Sequence, residues 1–303
     1  MHPLLALIAL PLTRVEIPKW SLLIGMMSGD WDKGFQGRWR RYSKVVARGK
    51  QHDMLMILDL SDWAQRMTYF LGRYYELGVL EVLDTVLGRG DHFVDIGANI
   101  GMITLHARSL VGDAGRIECF EPNPDCVTAI RSNLALNSIT NVTIYQCGLA
   151  DRAGSLTLSL TSEHTGTATF VEVGDQAKRQ LVVDVCVGDD KITVNPRVIK
   201  IDVEGFELRV LTGLRETIAK HRPFFITEII ESQLAIAGAS TAEIFEFFTS
   251  RGYRAYGIGT RRSHMRHRMA LTPIDRLEGF KPFVDILWGH VDHVHALPAK
   301  ILA

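Results

Sequence analysis

The sequence predicts an α/β fold: a mostly parallel sheet with helices on both faces, preceded by an N-terminal helical extension and interrupted by an inserted β-hairpin. Three observations carry this. Between His92 and Gln146 the hydrophobic pattern alternates strand, helix, strand, helix, strand, the order that builds a parallel sheet through right-handed crossovers. The first strand enters its helix through a glycine turn, "HFVDIGANIGMIT". With 47% hydrophobic residues in 303, the chain can bury one large core with additions.

Residues 1–60 are read as an extension of uncertain structure, and residues 61–303 as the main domain. "GRWRRYSKVVARGK", Gly37 to Lys50, is basic and reads as a solvated surface. From Ser61 the pattern becomes helical, with Ser61 or Asp62 as N-cap and Leu77, Leu80, Leu83 and Leu87 at helical spacing. His92 to Ile96 is a strand and Ile100 to Val111 a helix. Arg116 to Phe120 is the second strand, and Pro124 opens a helix that runs to about Asn137. Val142 to Gln146 is the third strand. "GSLTLSL" and "LVVDVCV" alternate, so Ala153 to Val187 is read as an antiparallel insert. "VIKID" is the next buried strand, Glu204 to about His221 a helix, "PFFITEII" a strand, and Ala242 to Arg251 a helix. "RAYGI" and "FVDILWGH" complete a sheet of six or seven strands.

Formal net charge is zero, so no broad basic footprint for nucleic acid is expected. Cys119, Cys126, Cys147 and Cys186 form no C-x-x-C pair. They read as buried free thiols of a reducing compartment, hence a cytoplasmic expectation. Leu4 to Leu12 is apolar but too short to span a bilayer. It lacks the basic flank and cleavage site of a signal peptide. A packed terminal segment is the favoured reading, and peripheral membrane contact the lesser one.

In open parallel sheets ligands bind beyond the carboxyl ends of the strands. Asp95, Gly97, Asn99 and Gly101 fall at such an end, where a glycine turn admits a ligand close to the backbone. A dinucleotide fingerprint would need glycines where Asn99 and Met102 stand. Asp95 would repel a pyrophosphate and attract a cation, which favours S-adenosylmethionine, with its ammonium and sulfonium, over a nicotinamide cofactor. Glu121 ends the second strand, where a carboxylate accepts from ribose hydroxyls. Gly148 and Leu149 offer backbone groups and an apolar edge for adenine. Asp151 is either an acceptor for the adenine amino group or a plain turn residue. Asp202 ends a strand predicted to lie beside the first, facing the departing methyl group. Glu204 is placed at the start of the next helix, where capping alone would favour an acid. Lys200, inside that strand, is either an edge-facing side chain or the partner of a nearby acid.

These runs, "FVDIGANIG", "FEPNP", "NLALN", "IKIDVEGFELRVLTGL" and "RPFFITEI", stand in the order and spacing of the FkbM-type methyltransferases, which the chain resembles from about Leu71 to Ile230. The resemblance implies the class I methyltransferase (Rossmann-like) fold, S-adenosylmethionine as cofactor, and methyl transfer to a hydroxyl oxygen of a sugar, glycan or natural product. Asp95, Gly97, Ala98, Asn99, Gly101 and Glu121, with Pro122 and Asn123 beside it, match the cofactor-binding positions. Asp202, Glu204 and Gly205 match the later motif. One departure is "CVGDD", where the family often has a Leu-Asp pair.

Methyl transfer from a sulfonium is an in-line displacement that needs alignment and help with the acceptor's proton. Asp202 and Glu204 are the candidates for that help. His290, His293 and His295 are close in sequence, but their spacing suits no standard zinc set, and no metal is expected. "RRSHMRHR", Arg261 to Arg268, reads as a solvated turn, with a clamp for an anionic acceptor as its functional alternative. A nicotinamide-dependent oxidoreductase and a non-catalytic binder of adenosyl ligands are the rival functions.

Overall fold

The computed structural model describes residues 14, 39, 42–160, 168–171, 178–263, 266–275, 283–298 and 301–302. The apolar run Leu4 to Leu12 lies outside them. The elements are β1 (Val45–Arg48), β2 (Leu55–Leu58), α1 (Trp63–Leu71), α2 (Leu77–Val86), β3 (His92–Ile96), α3 (Met102–Val111), β4 (Arg116–Phe120), α4 (Pro124–Leu136), β5 (Val142–Tyr145), β6 (Gly148–Ala150), β7 (Gly154–Leu160), β8 (Ala168–Thr169) and β9 (Arg179–Val187). They continue with α5 (Gly188–Lys191), β10 (Val198–Ile201), α6 (Glu207–Thr212), α7 (Arg215–His221), β11 (Phe224–Ile230), α8 (Glu231–Ile236), α9 (Thr241–Thr249), β12 (Tyr253–Ser263), β13 (Arg266–Pro273) and β14 (Phe283–His290).

The main sheet has the order β13-β12-β14-β11-β10-β3-β4-β5. Its five strands from β11 to β5 are parallel, and β14 is antiparallel to both its neighbours. Strand order turns back between β3 and β10, so their tips flank the crevice where such sheets take ligands. Because successive strand residues face opposite ways, Phe93, Ile117, Val198 and Phe224 pack with α2 and α3. Val94, Phe120, Ile199 and Phe225 pack with α6, α7 and α9 on the other face. The expected two-faced architecture is the one found.

Several boundaries differ from the sequence reading, each for a local reason. The helix expected from Ser61 onward is two helices. Asp62 is the N-cap, its carboxylate accepting from the Gln65 N–H at 3.1 Å, and Gly72 ends α1 in the left-handed region. The insert is a separate four-stranded sheet, β6-β9-β7-β8, rather than a hairpin alone. The stretch Arg261 to Arg268 is not simply a turn, because its backbone on either side of residues 264–265 pairs in β12 and β13. That pairing is why the sheet has eight strands. Gly188, the family departure, packs where a Cβ would overlap the Leu214 side chain. Its neighbour Asp189 accepts from the Glu216 and Thr217 N–H groups at 2.9 and 2.8 Å, capping α7 from outside.

Most of the N-terminal extension lies outside the described residues; within it, Trp39 is helical and residues 42–60 hold a β-hairpin, β1–β2. Its alternating apolar residues bury Met56 and Leu58 with Trp39 and Phe70. Asn133 of α4 and the Asn137 that caps its C-terminus bond to the hairpin's open edge as a strand would: Asn137 accepts from Leu55 N–H at 2.8 Å and donates to Leu55 C=O at 2.7 Å. Asn133 accepts from Ile57 N–H at 2.7 Å. Asn137→Ala strips β2 of both polar partners at Leu55 and is expected to cost about 1–3 kcal/mol. Chemical denaturation with an unchanged m-value would read this out; an unchanged midpoint would contradict it.

Candidate functional site

The crevice is built from the tips of β3, β4 and β10. Gly97 (φ +78°) turns the chain out of β3 beneath β10, so close that a Cβ there would overlap the Asp202 carbonyl oxygen. Asn99 follows with φ +51° and Gly101 with φ +81°. Gly101 is the N-cap of α3 and brings no side chain to the role, leaving the first turn open to the cleft.

Two acids face this turn. Asp95 is wholly buried. Its Oδ2 accepts from the Thr104 hydroxyl at 2.6 Å, and its Oδ1 has no hydrogen-bond partner. Burial pushes its pKa up, against the pull of Lys200 and Thr104. Glu121, nearly as buried, accepts from the Asn99 N–H at 2.8 Å with Oε2 and from the Asn123 N–H at 2.9 Å with Oε1. Burial still outweighs those two bonds and lifts its pKa to about 7. Each oxygen keeps a lone pair for a ligand donor.

The β10 tip adds the third acid. Lys200 is the register partner of Asp95, so the two side chains share a sheet face. Lys200 is buried and its Nζ donates to Asp202 at 2.8 Å. Burial alone would lower its pKa, but Asp202, Asp95 and Glu76 more than offset this and raise it. Glu204 is not in a helix, as the sequence reading had it. It sits in a turn with φ +54°, and the helix begins at Glu207. Its carboxylate accepts from the Gln233 amide, and burial, reinforced by Asp202, lifts its pKa to about 7. The capping explanation for this acid is therefore withdrawn.

These residues line one cleft with an empty volume of about 1130 Å³, mouth included. Of the residues singled out in sequence, Asp95, Gly97, Ala98, Asn99, Glu121, Pro122, Gly148, Leu149, Asp202 and Glu204 all line it. Gly101 and Asn123 stand one step behind, Asn123 as the N-cap of α4. Asp151 is elsewhere: it pairs with Arg209 at 3.6 Å along a neighbouring groove.

Other wall residues escaped the sequence reading. Tyr74, Tyr75 and Glu76, in the link between α1 and α2, close one side together with Gln65 and Thr68 of α1. Glu228 of β11 closes another. The signal for Glu228 was a lone acid in the apolar run "FFITEII"; for Glu76 it was only an acid at a helix break. Burial raises the Glu76 pKa to about 8, with Asp285 and Asp202 adding to it. Burial together with Asp202 and Glu204 raises that of Glu228 well above the carboxylate range. Carboxylate oxygens of Asp202, Glu204 and Glu228 lie within 4.8 Å of one another, the one group among the described residues with the spacing to hold a cation. His290 and His293 instead sit near Tyr253 and Phe224 at the far end of β14.

The model for the methyltransferase FkbM domain matches residues 95–255, more than half of the chain. The chain belongs to the FkbM methyltransferase family. Among relatives, this FkbM-family chain is 36% identical over 115 residues to methyltransferase sdnD of Sordaria araneosa, covering 37% of this chain and 43% of that protein. It therefore spans less than half the length of that relative. It is 28% identical over 183 residues to the hexuronic acid methyltransferase AglP of Haloferax volcanii, covering 57% and 74% respectively. Among solved structures, the methyltransferase FkbM of Methylobacillus flagellatus superposes with a TM-score of 0.42 at 18% identity, over 75% of this chain and 53% of that one.

Two predictions follow from the geometry. Gly97→Ala places a Cβ in the Asp202 carbonyl at a positive φ, and is expected to lower the melting temperature and open the β3–β10 junction; calorimetry checks the first and amide exchange at residues 96–98 the second. Glu228 has a folded pKa above its unfolded value of 4.5. The folded state thus keeps a proton that the unfolded chain loses, and stability falls as pH rises above 4.5. Glu228→Gln removes that loss: it should leave stability nearly unchanged at pH 4.5 and raise it by roughly 1–3 kcal/mol at pH 8. A variant equally or less stable than the parent at pH 8 would contradict this.

Proposed function

We propose that this protein transfers a methyl group from S-adenosylmethionine to a hydroxyl oxygen of a sugar, glycan or natural-product acceptor. The observation that carries the proposal is the buried, unpartnered Oδ1 of Asp95 in the same cleft wall as Glu121. A buried carboxylate oxygen without a donor is costly, and a cationic ligand with N–H donors relieves it. S-adenosylmethionine fits this donor set. Asp95 takes its ammonium, and Glu121, already aimed by two backbone N–H groups, takes its ribose hydroxyls. Phe120, Pro122 and Leu149 supply the apolar edge for adenine. No role is assigned to Asp151.

Bound there, S-adenosylmethionine supplies an electrophilic methyl on a positively charged sulfur. The chain supplies alignment and proton handling. Asp202 and Glu204 line the cleft just beyond the end of β10. Glu204, with a pKa of about 7, has the balance of a general base at neutral pH: basic enough to take a hydroxyl proton and acidic enough to be ionised. Asp202, held by Lys200, orients the acceptor. The curated relatives named as methyltransferases support the reaction class, and the three-acid wall is compatible with hydroxyl donors.

Glu204→Gln is expected to lower kcat by about 10²–10⁴-fold with cofactor affinity nearly unchanged, whereas Glu121→Gln should weaken cofactor binding first. Product analysis and calorimetric titration separate the two, and an unaltered kcat in Glu204→Gln removes the base assignment. Cofactor affinity should also depend on pH. Glu76 and Glu121 gain charge as pH rises through about 7 to 8, and a cation binds their ionised forms better. Affinity for S-adenosylmethionine is therefore expected to rise between pH 6 and pH 8, with protons released on binding; titrations in two buffers of different ionisation enthalpy test this.

A further inference from the structure

Glu204 is gripped from three sides. It is a non-glycine residue at φ +54°, a left-handed conformation that persists only where the surroundings enforce it. The peptide that follows is held at both ends. Its carbonyl oxygen, that of Glu204, accepts from the Thr169 hydroxyl of β8 at 2.8 Å. Its N–H, that of Gly205, donates to Oε1 of the buried Glu207 at 3.1 Å. Gly205 itself lies so close to α8 that a Cβ there would stand 2.8 Å from the Gln233 carbonyl oxygen. The insert, α6 and α8 thus converge on one turn.

The Glu204 side chain is held by Gln233. The Gln233 amide nitrogen donates to Glu204 Oε2, and no described residue donates to Oε1. Gln233 is not among the residues that line the cleft, so it reaches Glu204 from outside. Its place is fixed by its helix: α8 follows β11 without a break, and Leu234 beside it is fully buried in the core with Ile201 and Ile229. The other end of the amide separates two roles for the residue. Gln233 Oε1 is buried without a hydrogen-bond partner among the described residues, a cost that an apolar side chain of similar size would not carry. A glutamine that only packed would be a poor choice here; one that serves through its N–H is not.

Building on the assignment of Glu204 as the base, we infer that Gln233 is a positioning residue for methyl transfer: its amide takes Oε2 and leaves Oε1 for the acceptor hydroxyl. It acts through Glu204 and touches neither cofactor nor acceptor. A donor to a carboxylate also favours the ionised form, the form that takes a proton. Around Glu204, Asp202 at the β10 tip, Glu207 of α6 and Glu228 of β11 oppose ionisation, and Lys200 of β10 favours it. Glu76 and Asp285 stand beyond Glu228. Replacing Gln233 alters none of these charges and removes only the donor.

The test needs no acceptor. The full chain is labelled with carbon-13 at the glutamate side-chain carboxyl and titrated by NMR, the Glu204 signal being assigned by its loss in Glu204→Gln. Gln233→Met keeps the length of the side chain and removes the amide, and Gln233→Leu repeats the comparison with a second shape. Glu204 is expected to titrate about 1 pH unit higher in both variants than in the parent. Thr169→Val loosens the same turn at its carbonyl and is the structural control; it should leave the midpoint nearly unmoved. Melting temperature and calorimetric affinity for S-adenosylmethionine check that each variant folds with its cleft intact. A midpoint that neither Gln233 variant moves overturns the inference, as does an equal shift in Thr169→Val. Failure of the underlying readings looks different. A parent that does not bind S-adenosylmethionine removes the methyltransferase reading, and a parent midpoint at the ordinary 4.5 removes the base assignment.

Discussion

The β3–β10 junction holds the site together. Parallel pairing sets Asp95 opposite Lys200, and the chain leaving β3 at Gly97 passes against the carbonyl of Asp202. Both strand tips are therefore locked to one another at the level of the backbone. Asp95, Lys200 and Asp202 are thereby placed by the backbone of two paired strands. Within the β10 tip the Lys200–Asp202 ion pair keeps the buried lysine paired; an unpaired ion in the sheet would cost several kcal/mol.

Around that junction the protein gathers more negative charge than it can hold ionised. Glu76, Glu121, Glu204 and Glu228 all have raised pKa values, and in each case burial is the leading cause. Such an arrangement is unfavourable in the empty protein and becomes favourable when a cation arrives. Stability and function are in tension here, as is usual where perturbed carboxyl groups share a cleft. The same electrostatics set the Glu204 carboxyl near a neutral pKa and underlie the proposed binding of a sulfonium.

The insert and the extension act as walls. The insert sheet brings Leu158, Ala168 and Phe170 to the cleft, and the Thr169 hydroxyl donates to the Glu204 carbonyl at 2.8 Å, tying it to the turn that carries the candidate base. The β1–β2 hairpin is fastened to α4 by asparagine side chains and shares a cluster with α1. The α1–α2 link with its two tyrosines is thereby held in the cleft wall. These walls come from segments with little regular pattern of their own.

The sequence by itself determined the alternation of strands and helices from His92 to Tyr145, the glycine turn and the two acids at neighbouring strand ends. Those features are local: period, cap and turn chemistry are written within a few residues, as Asn123 before Pro124 and Gly97 after Ile96 illustrate. It could not show that Asp62 and Gly72 bound a short helix followed by a second, that Glu204 occupies a left-handed turn, or that the basic stretch at Arg261 pairs as a strand. The first and last of these rest on local caps and a local hairpin whose alternatives the pattern left open, whereas the Glu204 turn depends on Thr169 and Gln233, distant in the chain. Tertiary structure alone decided the acid cluster of the cleft, because Glu76, Glu228 and Asp202 are separated by long stretches of chain and meet only when β11, β10 and the α1–α2 link converge. Their charges are then perturbed by burial and by one another, quantities that no spacing along the chain contains.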